Sequence, residues 1–292
     1  PQDPAVTLSV IVPVYNGEAT IGPCLDSILQ QDTGCTVQLI VVDSDSTDGT
    51  AAVLERYRAL PGVVLCNCSA PRSAAAARNE GLRHAVGLWL MFVDSDDLLL
   101  PGAIRTLLDA AQRLDADVVQ GGWQYLYTGG SYGPVQCYPA AVYTGAAAPE
   151  RFELPGMPWG KIYRRELFAQ VRFPAYYTCF EDAIIHFLVF RLARTVASVP
   201  EMVYLWRKNP KGLTATSQHR PAAVQSYWII EQLAAQDAAL GLPHDALYRC
   251  TLTLQLSAFC YATVSGLPPE TQQAVFRLCC ALYAKALPQE GA

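Results

Sequence analysis

Three aspartates near position 95 have the clearest capacity for chemistry in this sequence. Asp94, Asp96 and Asp97 directly follow the apolar run Leu90–Val93, in a chain of which only 16% is charged. Like charges this close repel one another unless solvent or a cation offsets them. Hard cations such as Mg²⁺ and Mn²⁺ prefer carboxylate oxygens and commonly share their coordination with substrate phosphates. The stretch therefore indicates either a metal site or a polar loop that caps a helix expected from Pro101.

A second acidic stretch, Asp43–Gly49, also follows an apolar run. A calcium-binding EF-hand loop would require Gly at its sixth position and Glu at its twelfth. Counted from Asp43, these positions hold Asp48 and Leu54, and the stretch that begins at Asp94 fails the same test. Neither stretch is an EF-hand loop.

A third acidic group, Glu181 and Asp182, opens a segment with the apolar periodicity of a helix up to Leu192. Acids in the first turn of a helix are favoured by its dipole, so the pair by itself indicates a helix start. A carboxylate can also accept the proton of an attacking hydroxyl. The residues alone leave both interpretations open.

The elements that must position these residues alternate between strand and helix in the first part of the chain. The predicted strands are Leu8–Val14, Val37–Asp43, Val63–Cys66 and Leu88–Val93, and the predicted helices are 19–30, 48–60, 73–85 and 101–114. This order predicts an α/β fold with a mainly parallel central sheet and helices on both faces. Asp43 and Asp94 end such strands, so both should lie at the carboxyl edge, where open α/β sheets bind ligands.

The pattern changes in the second part of the chain. Residues 122–145 predict irregular antiparallel strands, followed by helices at 164–169 and 182–192 and a strand near 199–204. From Pro221 the signal is helical with two Gly-Pro-rich breaks, which predicts three helices. We therefore expect one domain over residues 1–218 and a C-terminal helical region over residues 219–292.

Composition argues against several classes of protein. The formal net charge of −5 disfavours a nucleic-acid binder, which would show a basic face. No signal peptide and no uncharged apolar run of membrane-spanning length is found, so we expect a cytoplasmic protein.

The ten cysteines include the close pairs Cys66/Cys68 and Cys279/Cys280 but no paired C-x-x-C motif of a zinc site. They are interpreted as small buried hydrophobes.

Four motifs in a fixed order resemble those of a known family. They are Val10–Asn16, Asp43–Thr50, Ala77–Gly81 and Phe92–Asp97. Over roughly residues 7–215 the chain resembles the family 2 glycosyltransferases, inverting nucleotide-sugar enzymes of GT-A fold. The resemblance implies a GT-A (Rossmann-like) domain with a C-terminal helical appendage. It also implies a role in bacterial capsule, exopolysaccharide or lipopolysaccharide synthesis.

The resemblance assigns the residues that would bind the donor. Pro13, Tyr15, Asn16 and Asp43 match segments that hold the nucleoside in the family. Arg78 lies in the element that is near the base and the phosphates in the family.

The resemblance also assigns the metal ligands and shows one departure. Asp94 and Asp96 match the D-x-D motif of the family, with Asp96 the more direct ligand of Mn²⁺ or Mg²⁺. Ser44 stands where the family commonly has a second Asp that contacts the base. UDP is the expected carrier, but the departure leaves the base open.

On the acceptor side, Glu181 and Asp182 match an acidic pair of the family. The resemblance implies that Asp182 is the general base and that Glu181 contacts the acceptor. Arg207 is expected to contact phosphate, and Lys161 either to contact phosphate or to pack between elements. The segment Tyr204–Asn209, followed by Thr214–Thr216, looks like the one that closes over the diphosphate in related enzymes. Trp159 could stack on a sugar or pack between elements.

Two further residues in this part of the chain are not expected to take part in the reaction. His186 is expected in the core, because it lies mid-helix in an apolar pattern. Cys179 precedes the acidic pair closely, but no base in the sequence pairs with it, so it is not expected to act as a nucleophile.

The function implied is metal-dependent transfer of one sugar from a nucleoside-diphosphate sugar to a sugar or lipid-linked glycan acceptor, with inversion. The alternatives are a nucleotide-binding homologue without activity, a nucleotidyltransferase, and a scaffold protein. A nucleotidyltransferase would be expected to carry a Gly-rich phosphate loop near its first strand, which Val14–Glu18 is not. The C-terminal helices predict amphipathic packing or a homodimer face, with weak peripheral contact to the inner face of a membrane as the alternative.

Overall fold

The computed structural model describes residues 6–69, 73–145, 149–176, 180–210 and 220–287. The strands in these residues are β1 Leu8–Val14, β2 Val37–Asp43, β3 Val63–Asn67, β4 Trp89–Phe92, β5 Leu98–Leu99, β6 Val118–Leu126, β7 Tyr132–Gln136, β8 Ala141–Thr144, β9 Lys161–Arg164 and β10 Thr195–Arg207. The helices are α1 Ile21–Leu29, α2 Thr50–Glu55, α3 Ala74–His84, α4 Ala103–Arg113, α5 Phe190–Leu192, α6 Gln225–Leu240, α7 Ala246–Leu254 and α8 Pro269–Ala286. A π-helical turn, Ile185–Val189, leads into α5, and another, Gln255–Tyr261, follows α7.

The strands form one sheet in the order β3–β2–β1–β4–β9–β6–β10–β5, with β7 beside β6 and β8 beside β10. The first four strands in this order are parallel to one another, as the strand–helix alternation predicts. β9 is antiparallel to both β4 and β6, and β6 is parallel to β10. The carboxyl ends of β1, β2, β4, β6 and β10 consequently lie at one edge of the sheet, which we call the rim.

The core has two parts, one on each face of the sheet. Alternate residues of a strand point to opposite faces, so Val10 and Val12 pack with α1, α2 and α4, whereas Ile11 packs on the other face. On that other face lie α3, the helical segment 184–190 and the C-terminal helices. Because both faces are covered, the central strands are continuously apolar, which is the pattern seen in the sequence.

The three predicted C-terminal helices are confirmed as α6, α7 and α8. Their apolar side chains, such as Ile230, Leu252 and Val275, belong to the same cluster as Ile11 of the central sheet. The predicted boundary between residues 218 and 219 lies outside the described residues, and it stays a prediction.

Some predicted elements differ in their limits. The helix expected from Pro101 begins at Ala103, because Gly102 has a left-handed φ of 78° that cannot continue a helical turn. The helix expected at 48–60 is the shorter α2, and it is followed by turns in which the Tyr57 and Leu60 amides donate to the carbonyls three residues before them. The segment expected as a helix at 164–169 is a single 3₁₀ turn, Arg165–Phe168.

The strand expected near 199–204 is part of the longer β10. Its register against β6 shifts between Ser198 and Met202, a stretch that contains Pro200, which has no amide hydrogen to donate. Among the described residues, no helix is both long enough and apolar enough to cross a membrane.

Candidate active site

The loops after β1, β2 and β4 meet at the rim. Parallel pairing sets Val14 opposite Asp43 and Ile11 opposite Phe92, so the residues that follow each strand leave the sheet at nearly the same level. This is the place where open α/β sheets bind ligands. The structure therefore brings the first two acidic stretches of the sequence to one edge.

The loops after β1 and β2 are joined by hydrogen bonds. The Asn16 side chain accepts from the Thr47 amide at 2.8 Å, and the Asn16 amide donates to Ser46 Oγ at 2.9 Å. Asp43 Oδ1 in turn accepts from the Ser46 amide at 3.0 Å and from the Ser46 hydroxyl at 2.6 Å. These contacts hold the loops together before any ligand binds, which lowers the ordering cost of binding.

The other residues predicted to bind the nucleoside lie in the same loops or, for Pro13, at the end of β1. Pro13 and Ser44 are buried, and the Ser44 amide donates to the Val14 carbonyl at 2.9 Å. The Tyr15 side chain is 49% exposed and therefore accessible to a ligand. All five predicted nucleoside contacts are thus gathered in one region of the rim.

Arg78 connects the aspartates after β4 with the acidic pair at 181–182. Its guanidinium contacts Asp94 Oδ1 and Glu181 Oε1, each at 2.7 Å. Arg78 is buried, and its Nε has no hydrogen-bond partner among the described residues. Burial lowers the pKa of Arg78, but the negative charges of Asp94 and Glu181 outweigh that effect and raise it. The guanidinium is therefore a permanent positive charge between two carboxylates.

The three aspartates after β4 have different environments. Asp97 is fully buried, and its carboxylate accepts from the Tyr204 hydroxyl and from the Arg207 amide, each at 2.7 Å. Asp94 and Asp96 are only partly buried. Asp97 therefore anchors the loop, whereas Asp94 and Asp96 are the two aspartates that a ligand can reach.

Asp96 lies in a negatively charged, partly buried environment that the nearby charge of Arg207 only partly offsets. Burial and the nearby charge of Asp94 raise the pKa of Asp96 to about 6. A bound cation would stabilise the charged form of such a carboxylate, because it offsets both the lost hydration and the repulsion from Asp94.

The carboxylates suit a cation that is also bound by substrate. No group of three or more His, Cys, Asp or Glu residues is arranged to enclose a metal within the described residues. Mg²⁺ and similar ions are often held by only one or two carboxylates together with substrate phosphates. Asp94 and Asp96 fit this second arrangement.

Asp182 lies beside Glu181 in the same site. Burial, together with the charge of Glu181, raises the pKa of Asp182 to about 7, although Arg78 opposes the rise. A carboxyl group with a pKa near neutrality is suited to accept a proton from a hydroxyl. The arrangement brings the carboxylates of Asp94 and Asp96, the Arg78 guanidinium and the carboxyl group of Asp182 together at one edge of the sheet.

Residues 9–173, more than half of the chain, match the family model described as Glycosyl transferase family 2. The chain belongs to this family.

Relatives of this glycosyltransferase are found in bacteria. It is 30% identical to the uncharacterized glycosyltransferase EpsJ of Bacillus subtilis in an alignment of 216 residues that covers 71% of this chain and 62% of that protein. It is 29% identical to the glycosyltransferase GlyA of Streptococcus pneumoniae in an alignment of 272 residues that covers 86% of this chain and 38% of that protein. The chain thus spans less than two thirds of either relative.

The fold is similar to that of a solved structure. S. aureus TarS 1-349, crystallised in complex with UDP-GlcNAc, matches with a TM-score of 0.76 over 97% of this chain and 82% of that chain. At 21% sequence identity the match shows the fold alone. The predicted GT-A fold with a largely parallel central sheet and C-terminal helices is confirmed.

Two residues that the sequence made candidates for ligand contact, with packing as the alternative, are buried in this glycosyltransferase. Lys161 is fully buried, and its ammonium donates to the Met157 carbonyl at 2.6 Å. Burial lowers the pKa of Lys161 well below its usual value, although the charge of Asp182 opposes this. Trp159 is 3% exposed and stacks on Tyr204 with ring centroids 4.6 Å apart. Trp159 therefore packs between elements, and phosphate binding by Lys161 stays a prediction.

Arg207 lies next to the aspartate loop, and its predicted contact with phosphate stays a prediction. Its Nε donates to the backbone carbonyl of Asp96 at 2.7 Å. Thr214–Thr216, expected to close over the phosphate, lie outside the described residues, and so does Cys179. His186 is a core residue that contacts the Leu154 carbonyl at 2.7 Å, and burial lowers its pKa to about 4.

Sequence reasoning missed two residues that position the site. The Tyr204 hydroxyl donates to Asp97 and accepts from the Asp94 amide at 3.0 Å. Asn79 pairs with the Phe173 backbone through two hydrogen bonds of 2.8 and 2.9 Å. The signals that could have found them were the A-R-N-x-G motif, which contains Asn79, and the family-like segment Tyr204–Asn209, which begins with Tyr204.

Proposed function

We propose that this glycosyltransferase is an inverting, metal-dependent enzyme that moves one sugar from a nucleoside-diphosphate sugar to an acceptor hydroxyl. The observation that carries the proposal is the double ion pair of Arg78 with Asp94 and Glu181. Through these two contacts Arg78 connects Asp94, which is expected near the donor diphosphate, with Glu181, which is expected near the acceptor. Assembly of a bacterial surface glycan is the proposed role, and it rests on the family resemblance.

The donor in this proposal is a UDP-sugar. The interlocked loops around Asn16 and Asp43 offer hydrogen-bonding groups for a nucleoside, and exposed Tyr15 lies beside them. Ser44 replaces a second acid and can donate or accept, so it is compatible with uracil. The complex of TarS with UDP-GlcNAc supports the choice of UDP.

Asp96, with Asp94, would hold Mn²⁺ or Mg²⁺ together with the diphosphate. A dication bound there would neutralise the negative charge that grows on the departing diphosphate. Arg207 lies against the backbone of Asp96 and is the proposed protein contact to the same phosphates.

Asp182 is the proposed general base. It accepts the proton of the acceptor hydroxyl as that oxygen attacks the anomeric carbon, while the bond from this carbon to the diphosphate oxygen breaks. The diphosphate leaves with the bonding electrons, through a transition state that resembles an oxocarbenium ion. Attack from the side opposite the leaving group inverts the anomeric centre. Glu181 is the proposed acceptor contact, held in place by Arg78.

A thermal-shift screen with UDP, GDP, CDP and dTDP, each with and without Mn²⁺, tests donor and metal together. We expect UDP with Mn²⁺ to raise the melting temperature more than UDP alone, because ligands of the folded state stabilise it. Release of UDP from UDP-sugars then reports turnover, and NMR of the product reports its anomeric configuration. No stabilisation by any nucleotide with Mn²⁺ would contradict the proposal. Stabilisation without turnover would favour the inactive homologue, and a retained configuration would contradict inversion.

A further inference from the structure

A group of aromatic side chains lies at the rim beyond the aspartate loop. Tyr125 and Tyr127 come from the end of β6, and Trp206 comes from the end of β10, where it pairs in register with Tyr125. The Tyr125 ring lies 5.1 Å from the Trp206 ring and 6.1 Å from the Tyr127 ring, measured between centroids. We call these three residues, together with Lys208, the aromatic shelf.

The aromatic shelf is more exposed than core packing requires. Below it, Trp123 and Trp159 are 7% and 3% exposed and pack against Trp206. In the shelf itself, Tyr125 and Trp206 are only partly buried, and Tyr127 is 38% exposed. The buried pair therefore supports the fold, while the shelf presents aromatic surface to solvent.

The aromatic shelf is separated from the nucleoside loops by the aspartates. In the sheet order, β1 and β2 lie on one side of β4, and β6 and β10 lie on the other. Trp206 directly precedes Arg207, whose amide donates to Asp97 and whose Nε donates to the Asp96 carbonyl. The shelf thus adjoins the aspartate loop on the side away from the nucleoside.

The aromatic shelf begins at the level of the aspartate loop and extends outward from it. Leu126, the residue after Tyr125, pairs with Arg207, which contacts Asp96 and Asp97. Tyr127 and Lys208 are the next residues of the two chain segments and continue the shelf past this level. A ligand on the shelf would therefore lie beside the reacting centre, in the place of a neighbouring sugar ring.

The chemistry of the aromatic shelf fits a pyranose ring. The C–H face of such a ring can pack on aromatic faces, which combine apolar area with low conformational entropy. The Lys208 ammonium lies 4.1 Å from the centroid of Tyr125 and 4.5 Å from that of Trp206. On its flexible stem it can shift aside and donate hydrogen bonds to the hydroxyls of a stacked sugar.

We propose that the aromatic shelf is a subsite for a sugar ring of the acceptor, beyond the residue that receives the transferred sugar. This inference rests on the proposed function, because it takes the aspartate loop as the donor-diphosphate site. It assigns an oligosaccharide, rather than a monosaccharide, as the acceptor class.

The test measures oligosaccharide binding in the presence of UDP and Mn²⁺, so that no sugar can be transferred. The probes are five trisaccharides: N-acetylchitotriose, cellotriose, maltotriose, mannotriose and trigalacturonic acid. Their binding is measured by titration with tryptophan fluorescence and by saturation-transfer NMR. We expect at least one to bind, and Tyr125→Ala to weaken its binding about tenfold, the size of one lost aromatic contact. Tyr127→Ala, at a more exposed position, should weaken it in the same direction.

Tyr132→Ala is the matched control. Tyr132 is 61% exposed on the neighbouring strand β7, and it pairs with Leu126, which points to the face opposite that of Tyr125. Its replacement should leave binding unchanged.

The result separates this inference from the proposed function. Absence of binding by all five probes, or binding that is equally strong in Tyr125→Ala, overturns the aromatic shelf as an acceptor subsite. The same samples report UDP–Mn²⁺ binding by thermal shift, which Tyr125→Ala should retain. If the wild type fails to bind UDP with Mn²⁺, the proposed function fails, whatever the trisaccharides do.

Discussion

Asp182 owes its properties to its neighbours rather than to its residue type. A free aspartate would be a weak base at neutral pH, whereas burial and the charge of Glu181 raise the pKa of Asp182 to about 7. The opposing charge of Arg78 keeps that pKa from rising further. A base with a pKa near the working pH combines a useful ionised fraction with good proton affinity.

Replacing Asp182 with Asn should remove proton abstraction and preserve the shape of the site. We expect turnover of the UDP-sugar with acceptor to fall about 10²–10⁴-fold. Binding of UDP with Mn²⁺, measured by thermal shift, should be retained. Asp109→Asn, on the exposed surface of α4, is the control and should be neutral. Normal turnover by Asp182→Asn would remove Asp182 from its assigned role.

The pH dependence of the reaction should report Asp182. As the pH falls below about 7, Asp182 becomes protonated and can no longer accept a proton. We therefore expect kcat/KM, which reflects the free enzyme, to fall about tenfold per pH unit well below the pKa. The measurement is an initial-rate profile from pH 5.5 to 9 at saturating Mn²⁺. A flat profile between pH 5.5 and 7 would be inconsistent with this base.

At the scale of elements, Arg78 of α3 joins the loop after β4 to the segment that begins at Glu181. Asn79, the next residue, holds the backbone of Phe173 in place. Phe180, directly before Glu181, has a φ of 87°, which is unusual for a residue with a side chain and costs energy. Packing and the two ion pairs of Arg78 must compensate for that cost.

Arg78→Met should therefore destabilise the protein. Glu181 and Asp94, whose side chains are 11% and 29% exposed, would lose their shared cation. Breaking a buried ion pair on one side costs about 3–5 kcal/mol, and the partial exposure of Asp94 favours the lower end. Urea unfolding measures the loss.

The control for Arg78→Met lies on the same helix. Arg83 pairs with Glu80 at the surface, with 71% of its side chain exposed, so Arg83→Met should cost at most about 1 kcal/mol. The loss of Arg78 also removes the charge that lowers the pKa of Asp182, so the acid limb of any remaining activity should move to higher pH. Equal stability of the two variants would contradict a structural role for Arg78.

At the scale of the whole molecule, the C-terminal helices share the core on one face of the sheet. Arg191 of α5 forms a buried ion pair with Asp237 of α6 and donates to the Pro243 carbonyl at 2.7 Å. His244 contacts the second oxygen of Asp237 at 2.8 Å and stacks on Tyr248. These contacts attach the helices to the part of the chain that carries the site.

We expect the protein to unfold in a single cooperative transition, because the apolar cluster is continuous from the sheet to α8. Asp237→Ala should shift this transition to lower temperature without splitting it, since it leaves Arg191 buried without its partner. Calorimetry measures both effects, with Glu270→Gln on the exposed side of α8 as the control. Two separate transitions in the wild type would show that residues 219–292 fold independently.

Much of this architecture was predictable from the sequence. The strand–helix alternation, the rim position of Asp43 and Asp94, and the family motifs all depend on residues that are close together in the chain. Apolar runs and short motifs record such local information directly. Element limits were less accurate where one residue decided them, as Gly102 does at the start of α4.

By itself, the sequence determined the fold class, the family and the set of carboxylates at the rim. Only the tertiary structure decided which groups they meet: Arg78 contacts Glu181 across 103 residues, and Tyr204 contacts Asp97 across 107. It also buried Trp159 and exposed the aromatic shelf. Partners this distant are set by strand order, register and packing, which no local pattern of residues encodes.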